Sequence, residues 1–340
     1  MSFPLKEQLS MLYEKLDASI SGSSIHNRTT LLAALSYLVT WIIYFIVLIC
    51  GLCYGRIGIP RRTEFDPLDR RLIFPYVSEP DTFTPVWQLV IWSVLAPLIM
   101  MAIFTFKFTR TFSLKQRLIM FHRFMLALMC SISLELFVVS CIKNVASVAR
   151  PDIISRCEPA NYPNSRTPIG ISFCNQSNQQ ILYEGFRSFP SGHSATVFAS
   201  MTVQSLYSIT VLQLYDHKGF AWKFIFCILY PLTVALVISF SRVSDNRHRV
   251  SDVLAGSVIG IISGISAFTF YFPWHQSLEL KKVECSIKKE LNGITLIEKC
   301  NIHFCQYPII SLSKLSIAST AFQRLVILKP EELKATESIF

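Results

Sequence analysis

Three short polar runs lie at the ends of long apolar stretches. They are Lys143-(six residues)-Arg150-Pro151, Pro190-Ser191-Gly192-His193, and Ser241-Arg242-(five residues)-His248-(three residues)-Asp252. Together they supply cationic donors, two histidines and one carboxylate. A reacting phosphate ester carries its charge on the equatorial oxygens, and its cleavage is mostly positioning and charge stabilisation. Arginine meets such oxygens two at a time, and lysine meets them as a point charge. Histidine can attack as a nucleophile or protonate a leaving alkoxide. A carboxylate beside an imidazole fixes its tautomer. The set is sufficient to cleave a phosphate ester without a metal ion.

Each run also carries a local expectation. Lys143 and Arg150 are seven residues apart, so a helix that continued through both would put them on one face. Pro151 favours leaving that helix. Taken alone, the pair equally fits cations snorkelling at a membrane boundary. Ser191 is a good helix N-cap, and Gly192 lets the backbone approach a ligand. The helix start that follows would offer free N–H groups to an anion, with His193 beside it. His248 and Asp252 are four apart, the spacing of neighbours on a helix face. Gly256, Gly260 and Gly264 continue that spacing, and small residues four apart allow close helix approach in a membrane.

The elements that must hold these runs are membrane spans. The chain has 340 residues, 51% hydrophobic and only 16% charged, against about a quarter charged in soluble domains. A spanning helix needs about 20 mostly apolar residues. Six stretches qualify, at roughly 31–54, 85–106, 121–142, 194–214, 221–240 and 253–272. The expected fold is all-α, a six-transmembrane-helix bundle, with a segment 1–30 before it and a tail 273–340 after it. The first stretch is too long for a cleaved signal core and reads as a retained helix.

Charge sets the expected orientation. Lys107, Arg110, Lys115 and Arg117, with no acid among them, mark the second connection as cytoplasmic. Both termini then lie in the cytoplasm, and all three polar runs reach the opposite, extracytoplasmic or lumenal face. In the first connection, Arg56, Arg61, Arg62, Arg70 and Arg71 are offset by five acids. The net charge of +10 is dispersed, with no basic stripe and interleaved aromatics, so it points to membrane-surface attraction and not to nucleic acid.

The longest outer connection, from about Lys143 to Pro190, holds the acceptor triplet Asn175-Gln176-Ser177. It also holds Cys157 and Cys174, which an oxidising lumen would let pair. Asn27-Arg28-Thr29 falls on the cytoplasmic side and should stay bare. Cys285, Cys300, Cys305 and His303 in the tail lack a second ligand pair at zinc spacing, so no metal site and no cofactor is expected.

The three runs in this order resemble the phosphatidic-acid phosphatase type 2 superfamily, the lipid phosphate phosphatases, a group that shares its core with acid phosphatases and vanadium haloperoxidases. The resemblance covers about residues 30–272. Between Asp152 and His193, Arg156-Cys157, Cys174-Asn175 and Leu182-Tyr183-Glu184-Gly185-Phe186-Arg187-Ser188 resemble the fungal enzymes acting on phosphatidate and diacylglycerol pyrophosphate. Val148 stands where relatives often carry a further arginine, a departure that bears on substrate preference. The resemblance implies His248 as nucleophile, Asp252 as its orienter and His193 as general acid. It implies Lys143, Arg150, Arg242, Ser191 and Gly192 as the phosphate holders.

The implied function is a metal-independent, multi-pass membrane phosphatase working through a phosphohistidine. Its substrates would be phosphatidate, lysophosphatidate or diacylglycerol pyrophosphate, at an endomembrane (vacuole, Golgi or ER) or the plasma membrane. The alternatives within the class are sphingoid-base phosphate and polyprenyl pyrophosphate. A non-catalytic lipid-phosphate scaffold would be expected to lack the histidines, and a transporter to carry its charges mid-span.

Overall fold

The structure is a computed structural model that describes residues 34–61, 64–110, 112–159, 166–214 and 219–272. The expectations for segment 1–30 and for the tail with its cysteines lie outside the described residues. Every described residue from Tyr44 onward belongs to one unit, Tyr44–Ile302. Of the other unit only the first turns of the first helix are described.

Among the described residues, six helices are long and apolar enough to cross a membrane: α1 Ala34–Ile57, α2 Val86–Phe108, α3 Leu114–Ala146, α6 Gly192–Leu212, α7 Phe220–Ser244 and α8 Val250–Tyr271. Two short helices, α4 Ile153–Cys157 and α5 Gln179–Gly185, lie in the long connection between α3 and α6. Among the described residues no strand forms beyond the single bridge Phe65–Ile169. The expected spans and the observed ones agree in number and order. α3 starts earlier than expected because Ser113 and Gln116 form a capping box ahead of it. Its 33 residues reach about 50 Å, well beyond the ~30 Å hydrocarbon layer. Lys143 lies in its last turn.

Between spans, lipid is as apolar as leucine, so packing and buried polar contacts must hold the helices together. The glycine stripe of α8 serves this need. A Cβ on Gly256 would stand 2.4 Å from the Ser191 carbonyl oxygen, and one on Gly260 2.3 Å from that of Ala195. One on Gly264 would stand 2.7 Å from Thr202 Cβ. α8 thus lies directly on the α6 backbone, and its N-terminal end meets the start of α6. A second stripe joins α1 to α3: Cβ atoms on Gly51 and Gly55 would stand 2.8 Å from Leu136 Cδ2 and Ser140 Oγ. α3 and α6 run antiparallel, with Thr196 Oγ1 donating to the buried Glu135 at 2.6 Å and the Phe124 ring tilted against Tyr207, centroids 4.8 Å apart.

The connections between α1 and α2 and between α3 and α6 have a small core of their own. Phe65, Leu72, Ile153, Ile154, Cys157, Leu182 and Phe186 are buried together. Each fully buried large side chain there contributes about 1.5–3 kcal/mol by leaving water. Cys157 and Cys174 are joined by a disulfide in this cluster, with Cα atoms 4.5 Å apart. Asn175 beside them is exposed.

Candidate active site

Four helix ends meet at one pole of the bundle: the C-terminal ends of α3 and α7 and the N-terminal ends of α6 and α8. The three polar runs are the residues at those ends. The structure brings all eight candidate site residues there, by routes that differ in part from the sequence expectation.

Lys143 remains on α3, but the helix stops at Ala146. Ser147 adopts a left-handed backbone, φ 44°, and its N–H caps the Lys143 carbonyl at 3.1 Å. Arg150 therefore does not share a helix face with Lys143. A loop brings it in, pinned where its N–H donates to the Gly185 carbonyl at 2.8 Å. Two residues earlier, the Val148 carbonyl accepts the Ser188 N–H at 3.0 Å. The segment before α6 thus carries Arg150 to the site.

Arg150 is 4% exposed, and neither its Nε nor its Nη1 has a hydrogen-bond partner. Its remaining nitrogen, Nη2, faces Glu184 Oε1 at 3.6 Å. Burial lowers the guanidinium to about 10, with Glu184 acting in the opposite sense. It remains a cation at neutral pH. Two buried, charged donors without partners are costly unless an acceptor comes to them.

Glu184 is a hub that the residue spacing did not reveal. Its carboxylate lies 3.6 Å from Arg150, 3.4 Å from Arg156 and 3.7 Å from Arg247. Burial favours its neutral form, yet Arg150, Arg156 and Arg247, with Lys143 behind them, hold it down at about 2. Arg156 is also paired with Asp152 at 2.9 Å, both fully buried.

α6 starts at Gly192, with Ser191 at the N-cap position. No side chain caps this end. The Ser191 hydroxyl instead accepts from Ser194 Oγ at 3.1 Å, and the Ser191 N–H donates to the Asp252 carbonyl at 2.9 Å. The first-turn N–H groups of α6 are left facing the site, as an anion-binding helix start requires. A Cβ on Gly192 would stand 3.4 Å from Lys143 Nζ. The glycine thus leaves the lysine its place over the helix start.

His193, in the first turn of α6, receives Arg242 Nη1 at its Nε2, 3.0 Å away. Arginine can only donate, so Nε2 is the accepting nitrogen of this imidazole. Arg242 is 1% exposed. Its Nη1 also donates to the Thr84 carbonyl at 2.8 Å, and its Nη2 donates to Asp245. Only Nε lacks a partner.

His248 precedes α8 instead of lying on it. The turn after α7 folds back so that the N–H groups of Arg247 and His248 both donate to the Arg242 carbonyl, at 3.1 and 3.2 Å. The His248 Nδ1 lies 2.7 Å from the Ser188 carbonyl. A carbonyl only accepts, so Nδ1 carries the proton and Nε2 keeps its lone pair. Asp252 Oδ2 is 3.9 Å from Nδ1, beyond hydrogen-bond reach. It accepts instead from Ser188 Oγ at 2.6 Å and from the Arg249 N–H at 3.0 Å. Asp252 sits in the first turn of α8, where a carboxylate finds free N–H groups. It therefore steadies Ser188, and Ser188 holds the histidine. Burial pushes the His248 imidazole down to about 3, Asp252 pulls against this, and Arg150 and Lys143 push further. It is neutral at pH 7.

Among the described residues no three His, Cys, Asp or Glu side chains gather as a metal ion would need. The arrangement offers three cations and a helix start to an anion, an unprotonated imidazole nitrogen on His248, and a second imidazole in contact with a cation.

Comparison with known proteins adds the context. Residues 124–276 match the family model described as PAP2 superfamily. A probable lipid phosphate phosphatase 4 of Arabidopsis thaliana is 28% identical over 204 residues, 60% of this chain and 62% of that protein. A probable diacylglycerol pyrophosphate phosphatase 1 of Schizosaccharomyces pombe is 29% identical over 161 residues, 47% of this chain and 57% of that one. Lipid phosphate phosphatase 1 of Saccharomyces cerevisiae is 34% identical over 144 residues, 42% and 49% of the two chains. The matched segments thus span less than two thirds of each of these relatives. No solved structure matches the chain.

Proposed function

We propose, from the premise that this chain carries a PAP2 superfamily domain over residues 124–276, that it is an integral-membrane phosphatase for lipid phosphates. Phosphatidate, lysophosphatidate and diacylglycerol pyrophosphate are the substrates in view. The observation that carries the reading is the pair of unpartnered, buried donors on Arg150, set at the same pole as His248.

The steps follow from the residues. The phosphate seats on Arg150, Lys143, the first turn of α6 and Arg242 Nε. His248 Nε2 attacks phosphorus, forming an N–P bond while the P–O bond to the lipid breaks. The leaving alkoxide takes a proton from His193. Phosphate oxygens compete with His193 for Arg242 Nη1, and that competition frees His193 Nε2 to take up the proton of the singly protonated phosphate ester, which it then passes to the leaving alkoxide. Water then attacks the phosphohistidine with His193 as base, freeing inorganic phosphate and restoring both imidazoles. Cations and backbone dipoles supply the charge stabilisation, so no metal ion enters the scheme.

The charge pattern of the connections supports an extracytoplasmic or lumenal site with cytoplasmic termini. Asn175 would then lie where glycosylation occurs, and a mobility shift on glycosidase treatment, lost in Asn175→Gln, tests that side. The function is tested by a substrate panel in detergent micelles with a chelator present: the three lipids above, a sphingoid-base phosphate and a polyprenyl pyrophosphate. Chelator-resistant phosphate release is expected. Activity that vanishes with the chelator contradicts the mechanism, and preference for one of the last two lipids moves the substrate assignment.

A further inference from the structure

Residues Val77–Pro85, in the connection between α1 and α2, lie outside the segment that matches the PAP2 family model. They are nonetheless bound to the third polar run at every turn. The Phe83 N–H reaches both carboxylate oxygens of Asp245, at 3.1 and 3.2 Å. The Thr84 carbonyl accepts from Arg242 Nη1 at 2.8 Å, and Thr84 Oγ1 accepts from Ser241 Oγ at 3.0 Å. The Val77 carbonyl accepts from Arg247 Nη2 at 2.7 Å, and Glu79 pairs with Arg247 Nη1 at 3.1 Å. The other Glu79 oxygen receives the Val86 N–H at 3.2 Å, at the start of α2. Thr82, Thr84 and Asp245 are buried.

We infer that this segment is a wall of the phosphate site and that Asp245 is the latch fixing it there, which makes Asp245 a positioning residue for Arg242. The inference rests on the phosphatase reading for its chemical meaning and on the contacts above for its geometry. Asp245 joins both sides: it accepts from the Arg242 guanidinium and from the Phe83 backbone. With Nη2 on Asp245 and Nη1 on the Thr84 carbonyl, the guanidinium plane is set by two fixed acceptors. That plane determines where Nε points and keeps Nη1 against His193. Asparagine at 245 keeps the size and one carbonyl acceptor for Phe83, but it loses the charge that holds Arg242.

The test is direct binding of orthovanadate, a phosphate mimic, to the full-length purified protein by calorimetry, alongside phosphate release and thermal unfolding. Asp245→Asn is expected to weaken vanadate binding about tenfold and to lower kcat by about tenfold to a hundredfold, with a lower melting temperature because the buried Arg242 loses its counter-charge. Asp245→Glu, which restores the charge, is expected to recover part of both. Glu79→Gln loosens the far end of the same wall and is expected to weaken vanadate binding a few fold. Unchanged vanadate binding in Asp245→Asn overturns the inference. If that variant fails to fold, unchanged binding in Glu79→Gln does so instead. A wild-type protein that binds vanadate but releases phosphate from no lipid contradicts the phosphatase reading, and weakened binding in Asp245→Asn would then still uphold the latch.

Discussion

Arg150 and Arg242 are both buried arginines at the same pole, and they are held in opposite ways. Arg150 is fixed through its backbone, and its guanidinium keeps Nε and Nη1 without partners. Arg242 is fixed through its guanidinium, with Nη1 on Thr84 and His193 and Nη2 on Asp245. One is a donor waiting for an acceptor. The other has spent most of its donors on shaping the site. Residue type and motif position would rank them as equals, whereas hydrogen-bond accounting separates them.

The largest expected effect follows from that difference. Arg150→Ala should lower kcat/KM on phosphatidate by on the order of 10²–10³, as removal of a charge-stabilising donor does. Arg242→Ala should cost less, on the order of 10–10², because only Nε is free for the phosphate and Nη1 must be won from His193. Steady-state kinetics on the two purified variants check the ranking, and a larger loss at Arg242 reverses the comparison. Next in size is Glu184→Gln, which removes the counter-charge shared by Arg150, Arg156 and Arg247. It should cost about threefold to tenfold, the scale of coupling within one charge network. It should act on Arg150 and leave Arg242 alone, so Glu184→Gln should add little to Arg150→Ala and its full cost to Arg242→Ala.

The smallest effect concerns pH. Arg150 and Lys143 press on His248, and burial holds it at about 3, below the ordinary ~6.5. The unfolded chain takes up this proton as pH falls below ~6.5, but the folded one does not until about 3, so stability falls with pH across that window. Glu184, held at about 2, adds a loss that begins only below ~4.3. His248→Asn should therefore flatten the melting temperature between pH 7 and pH 5 by a few degrees relative to wild type. Parallel curves for the two proteins over that range would mean that the imidazole is not held neutral.

What the sequence discloses and what it hides divide along the range of the interaction. The six spans are readable because apolar length is local. The step of four from Gly256 to Gly264 is readable because it is a repeat on one face, and it lies against the α6 backbone. The stripe through Gly51 and Gly55 obeys the same rule at one step only, so it stays below notice until α3 is seen against it. The place of Arg150 is not local. It depends on the left-handed Ser147 and on a backbone bond to Gly185, 35 positions away. The link between Asp252 and His248 passes through Ser188, which no spacing within the third run indicates. Glu184 and Asp245 carry no periodic signal, since their partners come from three separate segments of the chain.

The central claim is that three runs from distant parts of the chain form one metal-free phosphate site with His248 as its nucleophile. The direct test is phosphate release from phosphatidate by purified wild-type protein and by His248→Ala, both in micelles with excess chelator. The account predicts steady release by wild type and none above background in the variant. Substantial release by His248→Ala, or wild-type release that requires added metal, would contradict it.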